Sequence, residues 1–287
     1  QLLIVISRDS PTYNTAARRA YSLTATAFID VHIITPDKLD DYPHTDSYYL
    51  ALGKNAIHAA LERGAADKLV AAFLSRSSLE QSLAQYFGTA ANALSAGVDG
   101  LVLDQPYWRY YLLAARLQPQ ATTAGTPLGP YLQDQRPRLS DAAGLAGLQL
   151  ATVDIDENSN PVRVLEPLIK GSSMLVVLPD KLQVHKQAAR WILELGYRYQ
   201  TPVIAFSRRY TEIGAVASLY TSADDVGKDA AQLLMRKLKL PAGAGSLVSP
   251  QSFTIALNRS VARAIRLQLQ SESDYQAEIR RLEADID

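Results

Sequence analysis

The sequence predicts an α/β protein made of two similar domains that face each other across a cleft. Short apolar or β-branched runs alternate with longer segments of helical period, which is typical of parallel α/β architecture. Both halves open with a strand that ends in a small-residue loop, Ser7 to Tyr13 in the first and Gly129 to Gln133 in the second. A crossover is expected near Leu101 to Pro106, and ligands are expected beyond the carboxyl ends of the strands.

The strand candidates are short, apolar and bounded by polar or glycine-containing loops. They are LLIVI from Leu2, VHII from Val31, YYLAL from Tyr48, LVAAFL from Leu69, GLVL from Gly100, TTAGTPLG from Thr122, LQLATV from Leu148, MLVVL from Met174, PVIAF from Pro202, VASLY from Val216 and FTIAL from Phe253. Eleven strands are too many for one small doubly wound sheet. The number therefore favours two sheets over one.

Two helices are predicted from their apolar spacing. One face of the first contains Val184, Ala188, Trp191, Ile192, Leu195 and Tyr199. The second follows VASLY, where Ser222 and Asp225 resemble a capping box, so this helix is expected to start at about Ala223.

A third helix is predicted at the C-terminus, between Ser271 and Asp287. Tyr275, Ile279, Leu282 and Ile286 form an apolar stripe among charged residues, which indicates an amphipathic helix. Docking on the protein's own surface is the favoured use, and binding to a partner is the alternative.

The composition excludes several classes of protein. The chain has 287 residues, of which 47% are hydrophobic and 20% charged, so it can bury a sizeable core. Lys plus Arg and Asp plus Glu both number 29, which argues against a nucleic-acid-binding protein. No stretch approaches the roughly 18 consecutive apolar residues of a membrane helix. A signal peptide, if one existed, is expected to have been removed.

Motifs of catalysis and metal binding are absent from the sequence. There is no cysteine, and neither a dinucleotide fingerprint, a P-loop nor a nucleophile elbow occurs. The histidines, His32, His44, His58 and His185, lack the spacing that brings two imidazoles to one metal. Two acidic clusters, Asp40 to Tyr42 and Asp154 to Asn158, could bind calcium but lack the spacing of a calcium loop, which favours solvated loops.

Polar residues recur where the predicted strands end. LSRSS, ALGKN and FSRRY each follow an apolar strand, at Leu74 to Ser78, Ala51 to Asn55 and Phe206 to Tyr210. A glycine such as Gly53 lets a ligand approach the backbone, and the free N–H groups at a helix start favour an anion. Each cluster can also be an ordinary helix cap. Their recurrence favours a shared ligand.

A resemblance to a known family is carried by the run from Val176 to Leu234 and by the segment FTIALNRSVARAIRL after it. The LPD strand end, the PVIAFS strand, the GA-x-A-S-L-Y strand, the D-x-x-G helix and the N-R-S-V-A-R segment occur in the family's order. ALG, LDQP and LGP extend the match more loosely into the first half. In these segments the chain resembles ABC-transporter substrate-binding proteins that include tryptophan/tyrosine-binding lipoproteins.

The resemblance implies the type I periplasmic-binding-protein fold, in which two Rossmann-like, doubly wound domains enclose a cleft and three chain crossings form a hinge. The first lobe would contain residues 1–104 and 208–240. The second would contain residues 105–207 and 241–270. Residues 271–287 would form the additional C-terminal helix.

The implied function is that of the solute-binding component of an ABC importer, which presents its solute to a membrane permease. No catalytic residue or cofactor is then required, and the protein would work in the periplasm or at an extracytoplasmic membrane surface, with a lipid anchor possible. An alternative is a non-transport scaffold or regulator of an envelope enzyme built on the same fold. A cytosolic Rossmann-type enzyme is the third option, but no cofactor fingerprint supports it.

The candidate ligand contacts lie in the loops after the strands of both halves. They are Ser7, Ser10, Tyr13, Gly53, Lys54, Ser75, Arg76 and Asp104 in the first half, and Gly129, Tyr131, Asp180, Ser207 and Arg208 in the second. The cationic side chains suggest an anionic solute, such as an amino acid or a related carboxylate. At the FSRRY strand end the chain is expected to turn back across the hinge, with Ser207 and Arg208 as the preferred contacts.

Overall fold

A computed structural model describes residues 1–42, 47–156, 158–180, 186–239 and 243–284. The chain divides into two compact units. Unit 1 contains Gln1–Gln105 and Thr221–Phe253, and unit 2 contains Pro106–Tyr220 and Thr254–Asp287. The chain therefore passes from one unit to the other three times, as the resemblance implies.

Strands and helices alternate along the described chain. The strands are β1 (Leu2–Ile6), β2 (Val31–Ile34), β3 (Tyr48–Leu52), β4 (Leu69–Leu74), β5 (Asp99–Val102), β6 (Thr123–Leu128), β7 (Gln149–Asp154), β8 (Met174–Val176), β9 (Val203–Ala205), β10 (Ala217–Tyr220), β11 (Leu247–Val248) and β12 (Thr254–Leu257). All eleven predicted strands are present. The prediction missed β11, because a two-residue strand has no recognisable pattern.

The helices lie between the strands. They are α1 (Pro11–Thr24), α2 (Lys54–Glu62), α3 (Arg76–Phe87), α4 (Ala90–Ser95), α5 (Tyr107–Leu117), α6 (Pro130–Gln133), α7 (Arg136–Leu145), α8 (Pro161–Lys170), α9 (Lys186–Arg198), α10 (Arg208–Ile213), α11 (Ala223–Lys237), α12 (Arg259–Ala264) and α13 (Glu272–Glu283). Short 3₁₀ turns occur at Pro36–Asp41 and Ala66–Lys68.

Each unit is built on one six-stranded sheet. The order in unit 1 is β11-β5-β4-β3-β1-β2, and all its pairs are parallel. The order in unit 2 is β12-β10-β9-β8-β6-β7, where only β12 is antiparallel to its neighbour among the described strands. The prediction of two doubly wound α/β domains is confirmed.

The sheet of unit 1 is buried on both faces, which explains its continuous apolar strands. Every residue of β1 is buried. Because side chains alternate along a strand, Leu3 and Val5 join one core cluster while Leu2, Ile4 and Ile6 join the other. The fold therefore places strand ends and the loops after them at the sheet edges, where polar groups can be exposed.

The observed unit boundaries differ from those implied by the resemblance. Residues 208–220 belong to unit 2, because β10 pairs with β9 and β12 in its sheet. Residues 241–253 contribute to unit 1, because β11 pairs with β5. The chain thus does not leave unit 2 at Ser207. It leaves after Tyr220.

The predicted capping box is confirmed at α11. The Ser222 hydroxyl accepts a hydrogen bond from the Asp225 N–H at 3.1 Å, and the Asp225 carboxylate accepts one from the Ser222 N–H at 3.2 Å. The helix begins at Ala223, as expected. The helix predicted on the Val184 stripe corresponds to α9, although Val184 itself lies outside the described residues.

The C-terminal helix α13 docks on unit 2. A second capping box at Ser271 and Asp274 begins it, and Tyr275 and Ile279 are buried. It packs against β12 and α5, so the prediction of docking on the protein's own surface is confirmed. Ile286, the last residue of the predicted stripe, lies outside the described residues.

Candidate functional site

The carboxyl edge of the unit 1 sheet brings several predicted site residues together. Strands β5, β4, β3 and β1 are consecutive neighbours in this sheet. Because they are parallel, their carboxyl ends lie along one edge. The residues that follow them, in the same spatial order, are Asp104, Ser75, Gly53 and Ser7. The sheet order thereby places residues from four separate parts of the sequence along one edge.

Ser7 and Gly53 together organise the start of α2. Gly53 precedes the helix with a φ of 90°, a backbone conformation that favours glycine, and its N–H donates to the Ala72 carbonyl at 2.9 Å. The Ser7 hydroxyl accepts a hydrogen bond from the Ala56 N–H at 3.1 Å. The Ser7 side chain, directly after β1, thus satisfies the third amide of a helix that has no side-chain cap of its own.

Tyr13 lies directly over this helix start. A β-carbon built on Gly53 would lie 2.4 Å from the Tyr13 hydroxyl oxygen and 2.7 Å from the Ser7 Oγ. Residue 53 must therefore lack a side chain for Tyr13 and Ser7 to approach the backbone. The structure brings these three predicted residues together in one cluster.

Phe73 completes the cluster, and the sequence analysis did not identify it. Its φ of 73° is unusual for a phenylalanine, and the pairing of β4 with β5 shifts register between Ala72 and Leu74. Its ring centroid is 4.9 Å from that of Tyr13. Bulges often redirect a side chain near a functional site. No sequence signal marks this one, because the run LVAAFL reads as an uninterrupted strand.

Ser75, Arg76 and Asp104 form a second cluster on the same edge. The Ser75 hydroxyl caps α3 by accepting from the Ser78 N–H at 3.3 Å, and Asp104 accepts from the Arg76 N–H at 2.5 Å. Burial raises the pKa of the Asp104 carboxyl, and the Arg76 hydrogen bond opposes this effect. The Asp104 carboxylate therefore anchors the start of α3.

The Arg76 side chain makes contacts within unit 1. Its guanidinium lies 3.4 Å from the Leu247 carbonyl and 3.7 Å from the Glu80 carboxylate. Both contacts hold the cation against the protein itself. Arg76 is thus a weaker candidate for a solute contact than its position in the sequence suggests.

Two further predicted residues border the first cluster. Ser10 precedes α1 and makes no side-chain capping bond. Lys54 is the first residue of α2 and is exposed. A cation at this position adds to the positive potential of the helix start.

In unit 2, the corresponding edge brings Gly129 and Asp180 together. A β-carbon on Gly129 would lie 2.3 Å from an Asp180 carboxylate oxygen, and Asp180 accepts a hydrogen bond from the Leu132 N–H at 2.9 Å. The buried Asp180 carboxylate therefore sits on the first turn of α6, which also contains Tyr131. A fixed negative charge here disfavours a second anion at the same point.

Ser207 and Arg208 follow β9, which neighbours β8. The chain does not continue as an extended strand: α10 begins at Arg208, and Ser207 precedes it without a side-chain capping bond. The Arg208 side chain is exposed and lies 3.2 Å from Glu212 one turn later. Their contact with a solute stays a prediction.

The remaining polar candidates have structural contacts. His32 packs against Tyr42 and His58 against Tyr86, whereas His44 and His185 lie outside the described residues. Asp154 pairs with Arg136. Across the described ranges, no group of three histidine, aspartate or glutamate residues is placed to hold a metal.

Within the described part of the chain, no helix combines the length and the apolar character needed to cross a membrane.

Comparisons with known proteins identify the fold. The chain matches no protein-family model and no curated protein. A ligand-free, open substrate-binding protein with adhesive properties from Clostridium difficile is 15% identical, with a TM-score of 0.68, and the alignment covers 94% of this chain and 96% of that one.

Two further solved structures are similar over nearly the whole chain. An ABC domain from Streptococcus pneumonia in complex with L-Trp is 13% identical, with a TM-score of 0.55 and coverage of 97% and 98%. An arabinose-binding protein from Geobacillus stearothermophilus is 12% identical, with a TM-score of 0.51 and coverage of 91% and 97%. The chain therefore has the type I periplasmic-binding-protein fold that its sequence resemblance implies.

Proposed function

We propose that this protein is the solute-binding component of an ABC importer and that its solute is an amino acid or a related carboxylate. The observation that carries the proposal is the cluster of Ser7, Tyr13, Gly53 and Phe73 around the start of α2. It combines an aromatic pair with a glycine-opened helix start, on a fold that the compared binding proteins share. Aromatic walls with a few polar anchors are typical of small-molecule sites.

The helix start supports an anionic group on the solute. Ser7 satisfies the Ala56 amide, and among the described residues no acceptor bonds to the Lys54 and Asn55 amides at the first turn. These amides, the helix dipole and the exposed Lys54 side chain all favour negative charge. A charge-assisted hydrogen bond contributes about 1.5–3 kcal/mol, so two such bonds suffice to orient a small carboxylate.

The proposed transport role implies a membrane permease as the partner and a location outside the cytoplasm. A binding protein of this kind needs no catalytic group, because solute binding shifts its conformational population and the permease recognises the bound state. The protein would act in the periplasm or at an extracytoplasmic membrane surface. A lipid anchor remains part of the proposal.

The experiment is a ligand screen followed by two matched sets of variants. Native mass spectrometry of protein purified without refolding would detect a co-purified solute, and thermal shifts across amino and organic acids would identify its class. We expect Lys54→Gln and Tyr13→Leu to weaken binding roughly tenfold, which corresponds to about 1.4 kcal/mol. Lys68→Gln, at the opposite edge of the same sheet, should bind normally.

The unit 2 prediction is tested in the same assay. Arg208→Ala should weaken binding, whereas its exposed neighbour Arg209→Ala should not. An unchanged melting temperature with every acid would reject the proposed solute class. Failure to bind any solute would instead favour the scaffold or regulator alternative.

A further inference from the structure

A groove on unit 1 lies away from the residues discussed so far. It has a volume of about 490 Å³ and runs between α1 and α11. Its lining residues are Arg19, Leu23, Lys228, Ala231, Gln232, Met235, Arg236, Lys239 and Gln251. None of them belongs to the cluster of Ser7, Tyr13, Gly53 and Phe73, so the groove is distinct from the proposed solute site.

The groove is lined by cations without a carboxylate. Four of its residues are arginine or lysine, and none is aspartate or glutamate. Arg19 lies 3.5 Å from Asp224. Within the described ranges, Lys228, Arg236 and Lys239 form no ion pair with a carboxylate. Since the whole chain has a net charge of zero, this is a local concentration of positive charge.

The ends of the helices do not account for all of this charge. Basic residues in the last turn of a helix offset its dipole, and Arg236 is in that position. Lys237 also lies in the last turn of α11, where it offsets the helix dipole, and it pairs with Asp99 at 2.9 Å. Lys228, however, lies in the first half of α11, and within the described ranges its ammonium bonds to the Ser252 hydroxyl at 3.4 Å and to no carboxylate.

The floor of the groove is preformed. Gly227 allows α1 and α11 to approach closely, because a β-carbon there would lie 2.2 Å from the Ala16 carbonyl oxygen. Ala231 is buried beneath the groove. A surface held by two closely packed helices needs little reordering when it binds a partner.

We propose that this groove binds an acidic peptide segment of a partner protein. The cations match its carboxylates, Leu23 and Met235 offer apolar contacts, and the Gln232 amide can bond to peptide backbone. Methionine adapts readily to irregular partners. A concave groove also fits a protruding segment better than the flat surface of an anionic bilayer. If the proposed function holds, the acidic segment would belong to the permease. Only the naming of the permease as the partner rests on the proposed function.

The test uses the purified chain and a fluorescent octapeptide in which glutamates alternate with leucine and serine. We expect measurable binding in about 20 mM NaCl that weakens strongly at about 150 mM, because exposed charges are screened over this range. Replacing each glutamate of the peptide by glutamine should abolish binding. Failure of the glutamate peptide to bind in low salt would overturn the proposal.

Variants locate the binding surface. Arg236→Gln combined with Lys239→Gln should weaken peptide binding roughly tenfold, as expected for the loss of two solvent-exposed ion pairs. The control, Arg163→Gln with Arg281→Gln, removes the same charge from exposed positions of unit 2 and should bind normally. Equal affinities in the two double variants would contradict the assignment to this groove.

Two further measurements distinguish peptide binding from membrane binding and the groove from the proposed solute site. Vesicles of equal parts phosphatidylglycerol and phosphatidylcholine should bind weakly, and if they bind while the peptide does not, the surface is a membrane contact instead. Solute binding should be unchanged in the Arg236→Gln, Lys239→Gln double variant. A failed solute screen with normal peptide binding would therefore reject the proposed function without rejecting this groove.

Discussion

The substitution Gly53→Ala tests the geometry of the candidate site most directly. Gly53 has a φ of 90°, and an added β-carbon would lie 2.4 Å from the Tyr13 hydroxyl oxygen and 2.9 Å from the Tyr13 Cζ. Alanine therefore introduces two separate costs. One is backbone strain, and the other is the displacement of the tyrosine ring.

Both costs can be estimated. An L-residue at φ 90° and ψ 172°, a region that is essentially restricted to glycine, costs about 1–3 kcal/mol. Moving Tyr13 gives up its contact with Phe73, whose ring centroid is 4.9 Å away, and such an aromatic pair contributes about 0.5–1.5 kcal/mol. We expect Gly53→Ala to lower the free energy of unfolding by about 1.5–4.5 kcal/mol. For a chain of this size, that is a decrease in melting temperature of roughly 3–18 °C.

Gly64→Ala provides the matched control. Gly64 also has a positive φ, 70°, but nothing lies within 4 Å of a β-carbon built there. Thermal and urea denaturation should show only the strain cost in this variant, about 1–2 kcal/mol. Gly53→Ala should also weaken solute binding, whereas Gly64→Ala should not. Equal destabilisation in both variants, with normal solute binding, would refute the placement of Tyr13 over Gly53.

Two other predictions concern the carboxylates of Asp104 and Glu283. Burial raises the folded-state pKa of Asp104, so this carboxyl contributes most to stability below about pH 4, near the pKa of an unfolded aspartate, and the contribution is lost as the pH rises through the folded pKa. Urea denaturation between pH 4 and 7 should therefore show the stability of the wild-type protein falling relative to that of Asp104→Asn. Parallel pH profiles of the two proteins would contradict this. Glu283→Gln should destabilise the protein by roughly 3 kcal/mol, because it removes the ion-pair partner of the buried Arg109 side chain. The control is Glu278→Gln, because Glu278 pairs with Arg116, whose side chain is 39% exposed. This variant should lower the free energy of unfolding by about 0–1 kcal/mol in the same assay. Equal losses of stability in the two variants would show that the Arg109 pair is no more important than a surface contact.

The sequence was sufficient for eleven of the described strands and for the three helices that were predicted from it. Apolar runs predicted eleven strands, and Ser222 with Asp225 predicted the start of α11. These signals are local, because strand burial and helix capping depend on residues a few positions apart. The three crossings came from the resemblance. The first lies after Gln105, within the expected segment Leu101 to Pro106, whereas the other two lie at other positions than expected. Whether residues 208–220 pair with one sheet or the other depends on contacts between distant strands.

The candidate site was predicted only in part. Ser7, Tyr13 and Gly53 were identified from polar and glycine signals after strands, and the sheet order then brought them together. Phe73 was missed, since a phenylalanine inside an apolar run gives no sign of a bulge or a positive φ. Arg76 was predicted to contact a solute, and this stays a prediction; its guanidinium also contacts Glu80 and the Leu247 carbonyl.

The strand end FSRRY shows what the sequence determined and what the tertiary structure determined. The sequence by itself determined that an apolar strand stops before Ser207 and that polar residues follow, because burial cannot continue through two arginines. Only the tertiary structure decided that α10 begins at Arg208 and that the Arg208 guanidinium pairs with Glu212. It also decided that the chain stays in unit 2 until Tyr220. Composition fixes what must be buried, whereas the pairing of remote strands fixes which polar groups become neighbours.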